Sequence, residues 1–192
     1  MDKKDLRVFE YTKKILVKLE KFIKVGMTEY DIADFILEQN AKVSFFPIVA
    51  FEDHTSEAHH MGNNKVLKYD DIILVDFGYK IGTQCSDITR MYTINKSGLV
   101  EFRHDGIVET IRMLEKMVLF TKDKTELKLF TENHMRMRLE YGVFHGIKQI
   151  VHDEDTEIFA IEIHMELHGY GFRLENNYTI ENGKLINLTG KV

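Results

Sequence analysis

Apolar positions recur at helical spacing over the first part of the chain: Leu6, Phe9, Ile15, Leu16, Leu19, Phe22 and Ile23 share a face, and Gly26 stops the run. Thr28, followed three residues later by Asp31, has the form of a capping box and predicts a second helix across "EYDIADFILEQ". The period then changes. "VSFFPIVAF" is a strand pattern that Pro47 disturbs, and Ile73, Leu74 and Val75 form the continuous apolar run of a buried strand. Helical spacing returns from Glu101 to Phe120 and from Thr125 to Glu140, ending near Gly142. The last third, "EIFAIEIHMELHGYGFRLENNYTI", alternates as strands joined by short turns do. Helices, strands, helices, strands is the order of an α+β fold rather than of a parallel doubly wound sheet.

Composition narrows the function classes. A chain of 192 residues, 44% of them hydrophobic, can bury one sizeable core, so a single domain spanning 1–192 is expected. The net charge is −5 and the 26 basic residues are spread along the chain, which argues against a nucleic-acid partner. No run is long and apolar enough to span a bilayer, so no membrane is expected. The lone Cys85 precludes an internal disulfide, and no apolar signal core follows "MDKKDLR". The expected compartment is the cytoplasm.

The candidate chemistry lies where carboxylates interrupt strands. In "ILVDFGYKIGTQCSDITR" the apolar run ends in Asp76, a charge that is costly to bury unless it is paired or bound to a cation. With Ile81-Gly82 as a two-residue hairpin turn, Asp76 and Asp87 become direct cross-strand neighbours on one face, their Cβ atoms roughly 4.5–5.5 Å apart. Like charges so placed repel unless a cation lies between them. A second hairpin centred on His168-Gly169 sets Glu162 opposite Glu175 in the same way. Four carboxylates on two hairpins make a cage of hard oxygen donors, and one imidazole would suit it to a pair of divalent ions. Spacing alone does not choose among the histidines.

"IKVGMTEYDIADFI", "SFFPIVAFEDHTSEAHH", "LKYDDIILVDFG", "SDITR", "HGIKQIVHD", "AIEIH" and "FRLENNYTIENGKLINLT", in that order, resemble the pita-bread metallopeptidases, which comprise methionine aminopeptidases, Xaa-Pro aminopeptidases and prolidases. "SDITR" and "RLEN" resemble the Xaa-Pro aminopeptidase and prolidase branch more closely. The resemblance implies a curved antiparallel sheet with helices on its outer face. It also implies two divalent metal ions (Mn, Co, Fe or Zn) held by Asp76, Asp87, His145, Glu162 and Glu175. Asp87 and Glu175 would bridge the ions, Asp76 would chelate one, and His145 with Glu162 would hold the other. By the same resemblance Glu162 would move the proton of the attacking water, and His59 and His152 would contact the substrate. A short peptide is the implied substrate, and a homodimer is compatible with the pattern.

Four departures flank these positions. Lys148 stands where a glycine is usual, in what the pattern makes a loop after His145, and Ile163-His164 replace the usual Pro-Gly after Glu162. His145 and Glu162 are only 17 positions apart, shorter than in typical members, and no proline follows His59-His60. The expected function is a metal-dependent aminopeptidase or dipeptidase of the Xaa-Pro type. The alternative is a weakly active or inactive relative that binds a peptide or protein. Arg173 is either a surface charge or a guanidinium that orients the carboxylates.

Overall fold

The computed structural model describes residues 6–102, 105, 109, 112–113, 141–148, 151–152 and 157–190. Helix α1 runs Arg7–Phe22 and buries Val8, Phe9, Ile15 and Leu19. Helix α2 runs Glu29–Leu37 and starts at the expected capping box, in which the Thr28 side chain accepts from the Asp31 N–H and the Asp31 carboxylate accepts from the Thr28 N–H. Pro47 does more than disturb one strand: it falls in a gap between two, β1 (Lys42–Val43) and β2 (Ile48–Phe51).

The remaining strands follow in order as β3 (Ile72–Phe77), β4 (Tyr79–Ile81), β5 (Gln84–Cys85), β6 (Ile88–Asn95) and β7 (Gly98–Glu101), then β8 (Tyr141–Lys148), β9 (Val151–His152), β10 (Ile158–Leu167), β11 (Tyr170–Glu181) and β12 (Lys184–Asn187). All pairings are antiparallel. The main sheet is ordered β2-β3-β6-β11-β10-β8-β9, with β7 added to β6 and β12 to β11, while β1, β4 and β5 form a small second sheet. Positions 105, 109, 112 and 113 are helical, and the rest of the two helices expected between Glu101 and Glu140 lies outside the described residues. Glu101 itself ends β7, and Gly142 lies within β8 rather than at a helix end. Lys148 also belongs to β8, paired with Val151, and not to a loop.

Alternation along β3 separates the two sides of the sheet. Ile73, Val75 and Phe77 join the apolar cluster formed with Val8, Phe9, Ile15 and Leu19 of α1 and Ile32 and Ile36 of α2. Leu74, on the other side, packs in a second cluster with Ile48, Ala50 and Met91. Asp76 shares the parity of Leu74, so it is directed away from the two helices. This curled antiparallel sheet, with α1 and α2 against its outer face, is the pita-bread fold. No helix among the described residues is long and apolar enough to cross a membrane.

Candidate metal centre

Register aligns the carboxylates. Asp76 of β3 lies opposite Thr89 of β6, Thr89 opposite Glu175 of β11, and Glu175 opposite Glu162 of β10. Directly opposed residues share a face, so these four form one row across four adjacent strands. The Glu162–Glu175 pairing is the one expected from the sequence. Its turn, His168-Gly169, has φ of 54° and 82°, the two positive values that a type I′ hairpin needs.

The other hairpin differs from expectation by two residues. Its turn is Gly82-Thr83 rather than Ile81-Gly82, because Gly82, at φ 63°, takes the first turn position and Ile81 pairs with Gln84. Asp76 therefore faces Thr89, and Asp87 is not its direct partner. Asp87 precedes β6, in the two-residue link Ser86-Asp87 that joins β5 to β6. An even shift keeps a residue on the same face, so both aspartates still reach one place.

This link is fixed from three directions. The Ser86 hydroxyl lies 2.6 Å from that of Thr12 on α1 and accepts from the Tyr79 N–H at 2.9 Å. Asn177 clamps Asp87 itself, accepting from its N–H at 2.9 Å and donating to its carbonyl at 2.8 Å. Gly78 admits the close approach, since a Cβ there would stand 1.8 Å from the Ser86 carbonyl oxygen.

Asp76, Asp87 and Glu175 are all buried, and one carboxylate oxygen of each lies within 4.8 Å of the others. Burial, and after it the charge of Glu175, pushes the Asp76 and Asp87 carboxyls well above the usual range. Burial raises Glu175 to about 7 even though Arg173 and its hydrogen bonds from Thr89 and Asp87 oppose the rise. The Asp87 and Glu175 carboxylates thus stand side by side in a buried site, where each opposes ionisation of the other. Asp76 Oδ1 is buried with no hydrogen-bond partner among the described residues. Clustered hard oxygen donors, one of them without a partner, fit a divalent cation.

Arg173 is not a surface charge. It is buried, its Nη1 donates to Asp76 Oδ2 at 3.0 Å, and its Nε lies 3.1 Å from Glu162 Oε1. One guanidinium thus ties together two carboxylates from opposite ends of the row. Nη2 donates to the Ala58 carbonyl at 3.0 Å, which links the row to the segment carrying His59. His59 itself is exposed and His60 is buried. His145 lies opposite Ala160 in β8, an even step from Val143, which faces Glu162. His152 lies in β9, opposite Ile147. Of the residues singled out from sequence, the structure thus brings Asp76, Asp87 and Glu175 into one group, with Glu162 adjacent through Arg173. Thr89 and Asn177 carried no sequence signal, because a hydroxyl or amide within a strand is ordinary until its register is known. Cys85 is buried, as a small core residue would be.

The profile of metallopeptidase family M24 matches residues 7–189. A Mycoplasma pneumoniae protein that carries a provisional Xaa-Pro aminopeptidase name is 41% identical over 95 residues, 47% of this chain and 27% of that protein. An Escherichia coli aminopeptidase P variant superposes with a TM-score of 0.75 at 19% identity, over 96% of this chain and 54% of that one. The X-Pro aminopeptidase of Thermotoga maritima gives a TM-score of 0.69 at 22% identity, over 97% of this chain and 60% of that one. The chain therefore spans about a quarter of that curated relative and somewhat over half of these solved structures. It belongs to metallopeptidase family M24.

Proposed function

We propose that this member of family M24 is an Xaa-Pro-type aminopeptidase or dipeptidase that hydrolyses the N-terminal bond of short peptides with two divalent ions. The carrying observation is the buried group of Asp76, Asp87 and Glu175, with an oxygen of Asp76 left without a partner. A pure binding module has little physical reason to hold three such carboxylates against their mutual repulsion. In this reading Asp76, Asp87 and Glu175 hold the ions together with Glu162 and His145, and residues 1–192 act as one domain in the cytoplasm. Two divalent ions (Mn, Co, Fe or Zn) would supply Lewis acidity and a water acidified enough to attack near neutral pH.

The chain's own groups do the rest. Glu162, less deeply buried than Glu175, takes the proton of the attacking water and delivers it to the leaving amine. Arg173 holds the Glu162 and Asp76 carboxylates in place. His59 and His152 donate to the substrate carbonyl as charge builds on its oxygen.

Elemental analysis of the full chain should find two ions per molecule, and Asp87→Asn should lose both together, since a bridging ligand serves both. One ion retained at full occupancy in Asp87→Asn would exclude the bridge. Each of the two Mn²⁺ ions, supplied at a hundred times its Kd, should stabilise the chain by about 2.7 kcal/mol. At ~2–4 °C per kcal/mol for a chain of this size, that raises Tm by roughly 5–11 °C per ion. A Tm indifferent to both chelator and Mn²⁺ would count against the cage.

A further inference from the structure

A second cluster of ionisable groups stands outside the carboxylate row. Glu29, the first residue of α2, is wholly buried. Its Oε1 accepts from the Phe51 N–H at 2.9 Å and from His54 Nδ1 at 2.8 Å. Its Oε2 accepts from the Asn63 N–H at 2.9 Å and from His60 Nε2 at 2.8 Å. Burial pushes this carboxyl up, but the hydrogen bonds outweigh it and hold its pKa below the ordinary value. His60 uses its other nitrogen as well, with Nδ1 2.9 Å from a Glu57 carboxylate oxygen. An ionised carboxylate only accepts, so an imidazole held between two of them donates through both nitrogens and is an imidazolium. The His54 ring stacks on it with centroids 4.4 Å apart.

The segment these groups hold, residues 52–63, also meets the carboxylate row. The Gly171 N–H of β11 donates to Thr55 Oγ1 at 2.9 Å, and a Cβ on Gly171 would stand 2.0 Å from the Thr55 carbonyl oxygen. Three residues on, the Ala58 carbonyl accepts from Arg173. The chain on which His59 lies is thus fixed to α2 through Glu29 and to β11 through Thr55 and Ala58. A metal ion is the competing occupant of Glu29, His54 and His60, whose donor atoms lie within 4.8 Å of one another. Two facts oppose it: a nitrogen that donates its proton offers no lone pair at that position, and each Glu29 oxygen already receives two donors.

We propose that Glu29, with His54 and His60 as its donors, is a positioning group that holds the His59 segment against Arg173 and the carboxylate row. What the hold does for catalysis rests on the peptidase reading; the hold itself does not. The titratable and charged groups facing His60 are Glu29 from α2, Glu57 from its own segment and the His54 ring from the 3-10 turn Glu52–Ser56, and the Asp53–Lys65 ion pair lies beside His54. Burial lowers the His60 pKa, but the Glu57 and Glu29 carboxylates outweigh it and raise the value above normal. A raised histidine contributes its full stabilisation below its ordinary pKa, about 6.5, and loses it as pH rises through the folded value. The hold therefore loosens on the alkaline side.

The test uses the full chain, loaded with diamagnetic Zn²⁺ for NMR and amide exchange and with Mn²⁺ for kinetics. NMR titration, with the His60 ring assigned through His60→Gln, should place its pKa above 6.5 in the parent and closer to 6.5 in Glu57→Gln, a surface change that spares the core. Glu29→Gln should speed amide exchange across residues 57–62 at least tenfold and lower kcat on a dipeptide, with metal content unchanged. His54→Asn, which keeps a donor, should retain most of the protection seen in the parent. A parent His60 that titrates at or below 6.5 would overturn the proposal. So would unchanged exchange in Glu29→Gln, or a third equivalent of Zn²⁺ bound by the parent and lost in His54→Asn. If the loaded parent hydrolyses no peptide, the peptidase reading fails, while titration and exchange still decide the hold.

Discussion

Glu162→Gln is expected to lower turnover on a free dipeptide by roughly 10²–10⁴-fold, the usual worth of a general acid–base group. The amide keeps the size of the side chain and one carbonyl oxygen, which can still lie against Arg173 and coordinate weakly, but it cannot take a proton. Glu162 suits that task better than its cross-strand partner Glu175, because its side chain is 16% exposed whereas Glu175 is 1% exposed. A proton carrier must meet both the attacking water and the leaving amine. Metal content should fall less than in Asp87→Asn. Single-turnover rates measured at full metal occupancy give the answer, and a variant as fast as the parent would remove Glu162 from the proton path.

Arg173→Met should cost about 3–5 kcal/mol of folding stability in chelator, the usual penalty for removing one partner of a buried ion pair. Methionine fills most of the volume, so the loss reports charge rather than a cavity. Asp76 and Glu162 would lose their shared counter-charge, and Ala58 its donor. Arg173→Lys should recover little, since one ammonium cannot reproduce a planar fork that spans two carboxylates and a carbonyl. Urea unfolding of the metal-free variants is the measurement, and a loss below about 1 kcal/mol for Arg173→Met would show that the cluster does not depend on the guanidinium.

The two hairpins show why part of the row was readable in advance and part was not. At His168-Gly169 flanking alternation and turn chemistry agree, because both residues take positive φ, and the Glu162–Glu175 pair follows without error. At Ile81-Gly82-Thr83 the same glycine can occupy either position of a two-residue turn, and the choice moves the register by two. The face survived that error because a sheet repeats every two residues; a shift of one would have sent Asp76 and Asp87 to opposite sides. Arg173 and Glu29 could not be valued in advance. An arginine in a strand or a glutamate in the first turn of a helix is ordinarily solvated, and only tertiary packing shows that each is buried among several partners. β8 was obscured for another reason, because "YGVFHGIK" carries two glycines that look like loop punctuation but lie within a strand.

The carboxylate row draws on four strands whose first and last members are nearly a hundred residues apart. Within the row the Thr89–Glu175 pairing closes the longest loop and is expected to form last, because Asp76–Thr89 and Glu162–Glu175 are each local. The repulsion among Asp76, Asp87 and Glu175, and with it any cation binding that relieves it, is then expected to arise after the rate-limiting barrier. Ions that bind the finished cage alone leave the refolding rate as it was and slow unfolding by the full binding factor, about a hundredfold for each ion at a hundred times Kd. Stopped-flow unfolding and refolding with and without Mn²⁺ would resolve the two limbs, and a faster refolding limb would show the row to be assembled early. Cations bound in this way would govern how long the native molecule persists, and not how quickly it is reached.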